Sequence, residues 1–444
     1  MTLMVGVSGV RGIVGRTLTP RVALEFAQAY GTYLGGGGVA LGRDTRPSGE
    51  MLAAAACAGL TAAGCAVTQL GVVMTPTIAR AVRDGGYRGG VMITASHNPA
   101  AWNGLKFLDQ RGLAPGPEQA RAIADIYERE RIRTITDNFA PLRSDDQAGE
   151  RHVAAVLAAV EVDLSPVRGL RVVLDSINGA GCLDTPALLS ALGCQLIHLN
   201  GEPSGLFAHS PEPVAENLTQ LCAAVRRSGA AVGFAQDPDG DRLAIVDERG
   251  NYIGEEYTLA LATLFVLGRR PGPVAANLST SRLVDAIAAR FGVPVVRTPV
   301  GEANVARAML EHGCVIGGEG NGGVIDPRIA PVRDSLSALS LVLQLMATTG
   351  KPISELVADL PRHVMIKTKL ECPRERIAAA AAAVAAAFSG ERVNQADGTR
   401  VDFADGWVHL RASNTEPIVR IVAEADSAAT ARMLIERVRA AAGL

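Results

Sequence analysis

Four short segments of this 444-residue chain carry side chains whose types and spacing suit metal and phosphate chemistry. In segment 233–250 (GFAQDPDGDRLAIVDERG), Asp237, Asp239 and Asp241 alternate across a Pro/Gly turn between two strand-like runs. Three crowded carboxylates raise one another's pKa, so the arrangement calls for a neutralising cation; oxygen-only donors suit a hard divalent ion, Mg2+ by default. An EF-hand fits worse, because Arg242 stands where that loop requires glycine and strand-like runs replace its helices. In segment 89–99 (GGVMITASHNP), an apolar strand runs directly into a polar turn holding Ser96 and His97. The carboxyl end of a buried strand is where α/β proteins display reactive groups, although the same residues also make an ordinary Ser/Asn turn. No Gly-x-Ser-x-Gly elbow is present, which argues against a serine hydrolase. Segment 317–323 (GGEGNGG) holds Glu319 and Asn321 in a loop with little other side-chain bulk, a carboxylate and an amide suited to vicinal hydroxyls or an amine. Segment 408–421 (VHLRASNTEPIVRI) groups Arg411, Ser413, Asn414 and Thr415, whose guanidinium, hydroxyls and amide complement a phosphate dianion.

These segments need elements to hold them. Three stretches, starting at Val39, Leu170 and Val274, repeat one grammar of apolar strand, polar turn, Ala/Leu-rich helix, glycine and second strand. Each is a βαβ unit, with Gly64, Gly193 and Gly292 placed where a helix needs a left-handed cap. After about Pro361 the pattern changes to strand, Ala-rich helix (377–388), three strands and a closing helix (427–442), an α+β unit with an antiparallel sheet. The expected fold is therefore α/β: three similar mixed α/β domains and a C-terminal α+β domain around a central cleft. The expected domains are 1–145 with the Ser96 turn, 146–250 with the Asp cluster, 251–361 with the Gly-rich loop and 362–444 with the anion cradle.

Composition narrows the partners. Forty-three Lys+Arg against 45 Asp+Glu leave a net charge of −2, so no positive field draws a nucleic acid. No uncharged apolar run approaches the length of a membrane-spanning helix. The odd count of 7 cysteines, without a CxxC pair and mostly in apolar runs, indicates buried free thiols in a reducing compartment, and the expected location is the cytoplasm. Only four of the 43 basic residues are lysines, and Lys106 is the sole lysine before Lys351. An amine at 106 can accept and return a proton if its pKa is lowered by its site, which a guanidinium cannot do.

Taken in order, TASHNP, DPDGDR, GEGNGG and RASNTEP make the chain resemble the α-D-phosphohexomutase family, from GVSGVRG at 6–12 to the last domain. The resemblance implies that Ser96 carries a phosphoryl group, donates it to a hexose phosphate and recovers it from a reoriented 1,6-bisphosphate, which also serves as activator. It implies one Mg2+ per chain, held by Asp237, Asp239, Asp241 and a phosphoserine oxygen of Ser96. Arg11 and Arg242 match positions near the transferring phosphate; Glu319 and Asn321 grip sugar hydroxyls; Arg411, Ser413, Asn414 and Thr415 hold the other phosphate. Lys106 or His97 serves as the general acid–base group. Many relatives carry His where this chain has Gly323, and many phosphoglucosamine mutases carry Gly where it has Asn414. The implied reaction is the exchange of glucosamine 6-phosphate and glucosamine 1-phosphate, with a phosphomannomutase/phosphoglucomutase as the alternative. A Mg2+-dependent sugar phosphatase and a catalytically silent sugar-phosphate binder are the more remote readings. The implied partner is a small hexose phosphate, with neither nucleic acid nor membrane, and a homodimer is compatible with the sequence.

Overall fold

The computed structural model describes residues 3–6, 9–412 and 418–444. They form four sheets in chain order, three mixed and one wholly antiparallel. In the first, Gly37–Arg43, Cys65–Val72 and Gly89–Ile93 are parallel, and Trp102–Asp109 returns antiparallel to Gly89–Ile93. Val91, Met92 and Ile93 are all fully buried, as a strand covered by helices on both faces must be. The second sheet orders Leu243–Val246, Val232–Gln236, Arg171–Asp175 and Gln195–Leu199; the third orders Val295–Thr298, Val274–Asn277, Ile316–Glu319 and Gly323–Ile325. Gly64, Gly193 and Gly292 each follow a helix at positive φ, so the expected caps form. The last sheet includes a strand the sequence pattern did not suggest, Arg392–Asn394, whose polar ends hide its pairing with Thr399–Phe403.

One rule of construction serves all three mixed sheets. In each, the edge of the parallel set is closed by an antiparallel strand, and the connection at the carboxyl end of the parallel strand carries the candidate chemistry. Gly89–Ile93 turns through Ser96 into Trp102–Asp109, Val232–Gln236 turns through the Asp cluster into Leu243–Val246, and Ile316–Glu319 turns through Asn321 into Gly323–Ile325. A single apolar core runs through the first three units, from Met74 and Ile78 through Leu174 and Phe234 to Leu259 and Leu339. At its centre helix Ser335–Thr349 is buried continuously from Ser335 to Met346 and is capped by Asp334. His152 pins this junction: its ring lies 2.9 Å from Thr77 Oγ1 and 3.1 Å from Asp334 Oδ2, one partner in each flanking unit.

The C-terminal unit has its own core, from Cys372 to Ala442, and meets the third unit through polar groups. Arg400 donates to the Leu278 carbonyl at 2.6 Å, the Arg282 amide to Glu424 at 2.9 Å and the Val300 amide to Asp397 at 3.0 Å. Polar interfaces of this kind permit relative motion more readily than an apolar one. All seven cysteines are free; Cys194 and Cys222 are only half-buried, each packed at the margin of a core cluster. No helix among the described residues is long and apolar enough to cross a membrane.

Candidate active site

Ser96 is buried, and its backbone lies in the left-handed region at φ 50°. A non-glycine residue held there costs energy and persists only when its surroundings over-determine it. Arg46 supplies that constraint. Fully buried, it donates to the carbonyls of Ser96 (2.6 Å), Asn98 (2.7 Å), Pro99 (2.9 Å) and Trp102 (3.0 Å), gripping the whole turn. Asp44 fixes the guanidinium through Nε at 3.0 Å and also accepts from Thr94 Oγ1, which in turn accepts the Ser96 amide. The Ser96 hydroxyl is thereby aimed across the domain boundary at Asp237 Oδ2, 2.9 Å away, with His97 Nδ1 at 3.3 Å. Burial, with Arg242 and Arg11 nearby, pulls the His97 pKa down to about 3, so its ring is neutral. Arg11 reaches the same turn, donating to Asn98 Oδ1 at 3.3 Å.

Asp237, Asp239 and Asp241 are fully buried and converge, with one oxygen of each within 4.8 Å of the others. Asp237 Oδ1 accepts the amides of Asp241 and Arg242, both at 3.1 Å, which closes the turn. Thr75 ties the loop to the first unit, its hydroxyl donating to Asp239 Oδ2 at 2.6 Å. Burial and the two neighbouring carboxylates drive the Asp237 pKa well up. Asp239 and Asp241 move the other way despite burial, Asp239 through Lys106 and Asp241 chiefly through Arg333. Asp239 Oδ1 and Asp241 Oδ1 are buried without a hydrogen-bond partner, the nearest cation to the latter being Arg242 Nε at 3.8 Å. Orphaned carboxylate oxygens facing one point fit a hard divalent cation.

Lys106 enters this cluster from strand Trp102–Asp109, with Nζ 2.6 Å from Asp239 Oδ2 and 3.6 Å from Asp241 Oδ2. Its pKa departs from the sequence expectation. Burial is the largest influence and acts downward, but Asp239 and Asp241 outweigh it and raise the value. In this arrangement the ammonium is a counter-charge to the carboxylates.

Glu319 ends strand Ile316–Glu319 and is held on both oxygens: Oε1 accepts from Asn277 Nδ2 (2.8 Å) and the Gly301 amide (3.1 Å), Oε2 from Arg333 Nη1 (2.7 Å). With about four acceptor sites on a carboxylate, roughly one is left for a ligand. Asn321 Oδ1 is buried and unpartnered, so a second acceptor stands ready beside it. Arg242 is buried between the Asp cluster and Glu212, 3.7 Å from the latter. Arg411 lies on strand Gly406–Ala412 with Nε 3.0 Å from Asp397 Oδ2, the same oxygen that accepts the Val300 amide. Ser413, Asn414 and Thr415 lie outside the described residues.

The chain matches four models in order: phosphoglucomutase/phosphomannomutase alpha/beta/alpha domain I over residues 2–133, domain II over 150–250, domain III over 254–364 and the C-terminal domain over 365–441. The chain belongs to the phosphoglucomutase/phosphomannomutase family. Among curated relatives, it is 42% identical to a "Probable phosphoglucosamine mutase" of Methanopyrus kandleri, over 97% of this chain and 95% of that one. It is 40% identical to a "Phosphoglucomutase/phosphomannomutase" of Thermococcus kodakarensis, over 98% and 97%. A crystal structure of a phosphoglucomutase/phosphomannomutase family protein from Burkholderia thailandensis superposes with a TM-score of 0.88 at 30% identity, covering 99% of this chain and 98% of that one. Members of this family are phosphohexomutases, and as one of them the chain is an isomerase of that class. The family is Mg2+-dependent, in keeping with the Asp237, Asp239 and Asp241 cluster.

The structure draws Ser96, His97, Arg11, Lys106 and Arg242 around the Asp cluster and places Glu319 one arginine away. That arginine, Arg333, escaped the sequence reading, as did Arg46, Thr75, Glu302 and Asp397. Arg46 and Thr75 are remote in sequence from the loops they hold, and Arg333 and Asp397, although only 14 residues from Glu319 and Arg411, lie outside those motifs with no local spacing to mark them. The one available signal was that Arg46 and Arg333 each adjoin a polar turn residue, Thr45 and Asp334, at the end of an apolar run.

Proposed function

We propose that this chain interconverts glucosamine 6-phosphate and glucosamine 1-phosphate through a phosphorylated Ser96 and a bound glucosamine 1,6-bisphosphate. The observation that carries the reaction is the Ser96 hydroxyl, held in a strained turn and aimed at Asp237 inside the buried carboxylate cluster. The choice of glucosamine leans on the 42% identical relative that is named a "Probable phosphoglucosamine mutase". In the first half-reaction the free sugar hydroxyl attacks the phosphoseryl phosphorus. The new O–P bond forms as the Oγ–P bond breaks, and the hydroxyl proton passes to the leaving Ser96 oxygen by way of Lys106. The bisphosphate then reorients and returns its other phosphoryl group to Ser96 by the reverse step, so the phosphoserine is regenerated and the isomeric monophosphate leaves.

Arg11 and Arg242 stabilise the charge on the transferring group. Arg411, with Ser413, Asn414 and Thr415, holds the phosphate that is not reacting, while Glu319 and Asn321 accept hydrogen bonds from the sugar in either orientation. His97, neutral and 3.3 Å from the serine oxygen, orients that oxygen. Asp237, Asp239, Asp241 and a phosphoserine oxygen would hold a Mg2+, which would supply positive charge to neutralise the phosphoryl group and lower the proton affinity of the adjacent Lys106 amine.

Initial rates on glucosamine, mannose and glucose 1-phosphates test the substrate. The 40% identical phosphoglucomutase/phosphomannomutase makes mannose and glucose the second reading, and a clear mannose preference would establish it. Intact-protein mass spectrometry after incubation with hexose 1,6-bisphosphate tests the intermediate: one added phosphoryl group should map to Ser96. Steady phosphate release with an unlabelled serine would mark a sugar phosphatase instead.

A further inference from the structure

Gly323 opens the strand Gly323–Ile325, and its backbone is outside the left-handed region, so conformation does not demand a glycine there. Space does. A Cβ at this position would fall 2.1 Å from Arg333 Cδ, 2.9 Å from Arg333 Cγ and 3.1 Å from Asn321 Oδ1. The stem of Arg333 therefore fills the volume that any side chain at 323 would occupy. Its guanidinium continues to two loops at once: Nη1 donates to Glu319 Oε2 at 2.7 Å and Nη2 to Asp241 Oδ2 at 2.6 Å. Its backbone is fixed as firmly, since the Arg333 amide donates to Glu302 Oε1 at 2.7 Å and the next residue, Asp334, caps the central buried helix.

We propose that Arg333 is a positioning residue of the mutase, aligning the sugar-gripping Glu319 with the metal-loop Asp241, and that position 323 is glycine because Arg333 occupies its side-chain space. The proposal rests on the mutase reading above and adds a residue to it. A planar fork is needed for the task, because one guanidinium can serve two carboxylates on different loops in fixed geometry, whereas an ammonium holds them only as a point charge. Any side chain at 323 displaces Arg333 and unhooks the two loops from each other, so the glycine and the arginine act as one unit.

The test is a double-mutant cycle of Gly323→Ala and Arg333→Ala, with Arg333→Lys as a third variant. Each corner is read by kcat/KM on glucosamine 1-phosphate, by calorimetric affinity for glucosamine 6-phosphate and glucose 6-phosphate, and by thermal melting. Loss of a charged hydrogen bond predicts about a tenfold to hundredfold fall in kcat/KM for either single variant. The decisive expectation is non-additivity: Gly323→Ala should cost less than about twofold once Arg333 is already alanine. Arg333→Lys should fall between wild type and Arg333→Ala, and millimolar guanidinium should restore part of the Arg333→Ala activity, which it cannot do for a purely structural defect. Equal costs of Gly323→Ala in both backgrounds, or full activity of Arg333→Ala, would overturn the proposal. A wild-type chain that binds hexose 6-phosphates but isomerises none would refute the mutase reading, while the cycle read on affinity would still decide the role of Arg333. Binding of neither sugar phosphate would refute both.

Discussion

Truncating Arg46 tests how the reactive turn is held. Arg46→Ala removes four hydrogen bonds to the carbonyls of residues 96, 98, 99 and 102 and the partner of Asp44, all with no exposure at either charged side chain. Burial pushes the Asp44 carboxyl above its usual range even beside Arg46, so the intact pair is not a large source of net stability. Removing one partner is a different matter, because the other is left buried without compensation, at a cost of about 3–5 kcal/mol. Some of the freed carbonyls can recruit water, so we take about 4 kcal/mol as the expected loss, near a thousandfold in the folding equilibrium of the first domain. Without the clamp, Ser96 should also relax from φ 50° toward an ordinary turn and lose its 2.9 Å approach to Asp237. Urea unfolding followed by near-ultraviolet circular dichroism reads the first effect, and the stoichiometry of Ser96 phosphorylation by hexose 1,6-bisphosphate reads the second. Arg46→Lys, with one point charge for five fixed donors, should recover the folding loss in part and the phosphorylation hardly at all. A variant Arg46→Ala that loses less than about 1 kcal/mol and phosphorylates normally would refute the clamp.

Three further outcomes are expected. Lys106→Arg keeps the charge beside Asp239 but cannot relay a proton, so kcat should fall by about 10²–10⁴ with folding intact; full activity would make the lone early lysine a matter of composition. Chelation should abolish turnover, and Mg2+ at a hundred times its Kd should add about 2.7 kcal/mol of stability through the carboxylate cluster, read as a rise in Tm that Asp239→Asn removes. Burial raises the Glu256 pKa from 4.5 to about 8, so the folded state resists ionising this group. Its unfavourable contribution should therefore grow as pH rises from about 4.5 to about 8, on the order of 5 kcal/mol in all, and Glu256→Gln should flatten that slope in urea titrations.

Much of the fold and of the candidate site was legible along the chain. The three βαβ segments announced themselves through apolar strands and capping glycines, because both signals are local consequences of backbone geometry. Asp237, Asp239 and Asp241 were legible as three carboxylates across one tight turn, while their convergence rests on partners from other units, Thr75, Lys106 and Arg333. Lys106 stood out along the chain as the lone early amine, but the direction of its pKa was not legible, since that depends on carboxylates more than 130 positions away whose distances the sequence does not state. Strand Arg392–Asn394 was missed because a short, polar-ended edge strand has no strong alternation to show.

The sequence by itself determined which groups are available: a serine at the end of a buried strand, a carboxylate trio, a carboxylate and amide in a glycine loop, and a guanidinium in the last domain. Those belong to single hairpins, where side chains a few residues apart must be near one another whatever the rest of the molecule does. Only the tertiary structure decided how the hairpins face one another and what holds them there. Arg46 gripping the Ser96 turn, Thr75 on Asp239, His152 between Thr77 and Asp334, and Arg333 reaching back to Asp241 all join segments distant in the chain. Such contacts exist because one continuous core presses three domains together and buries polar groups that must then find partners, and a buried charge takes the partner that packing brings to it.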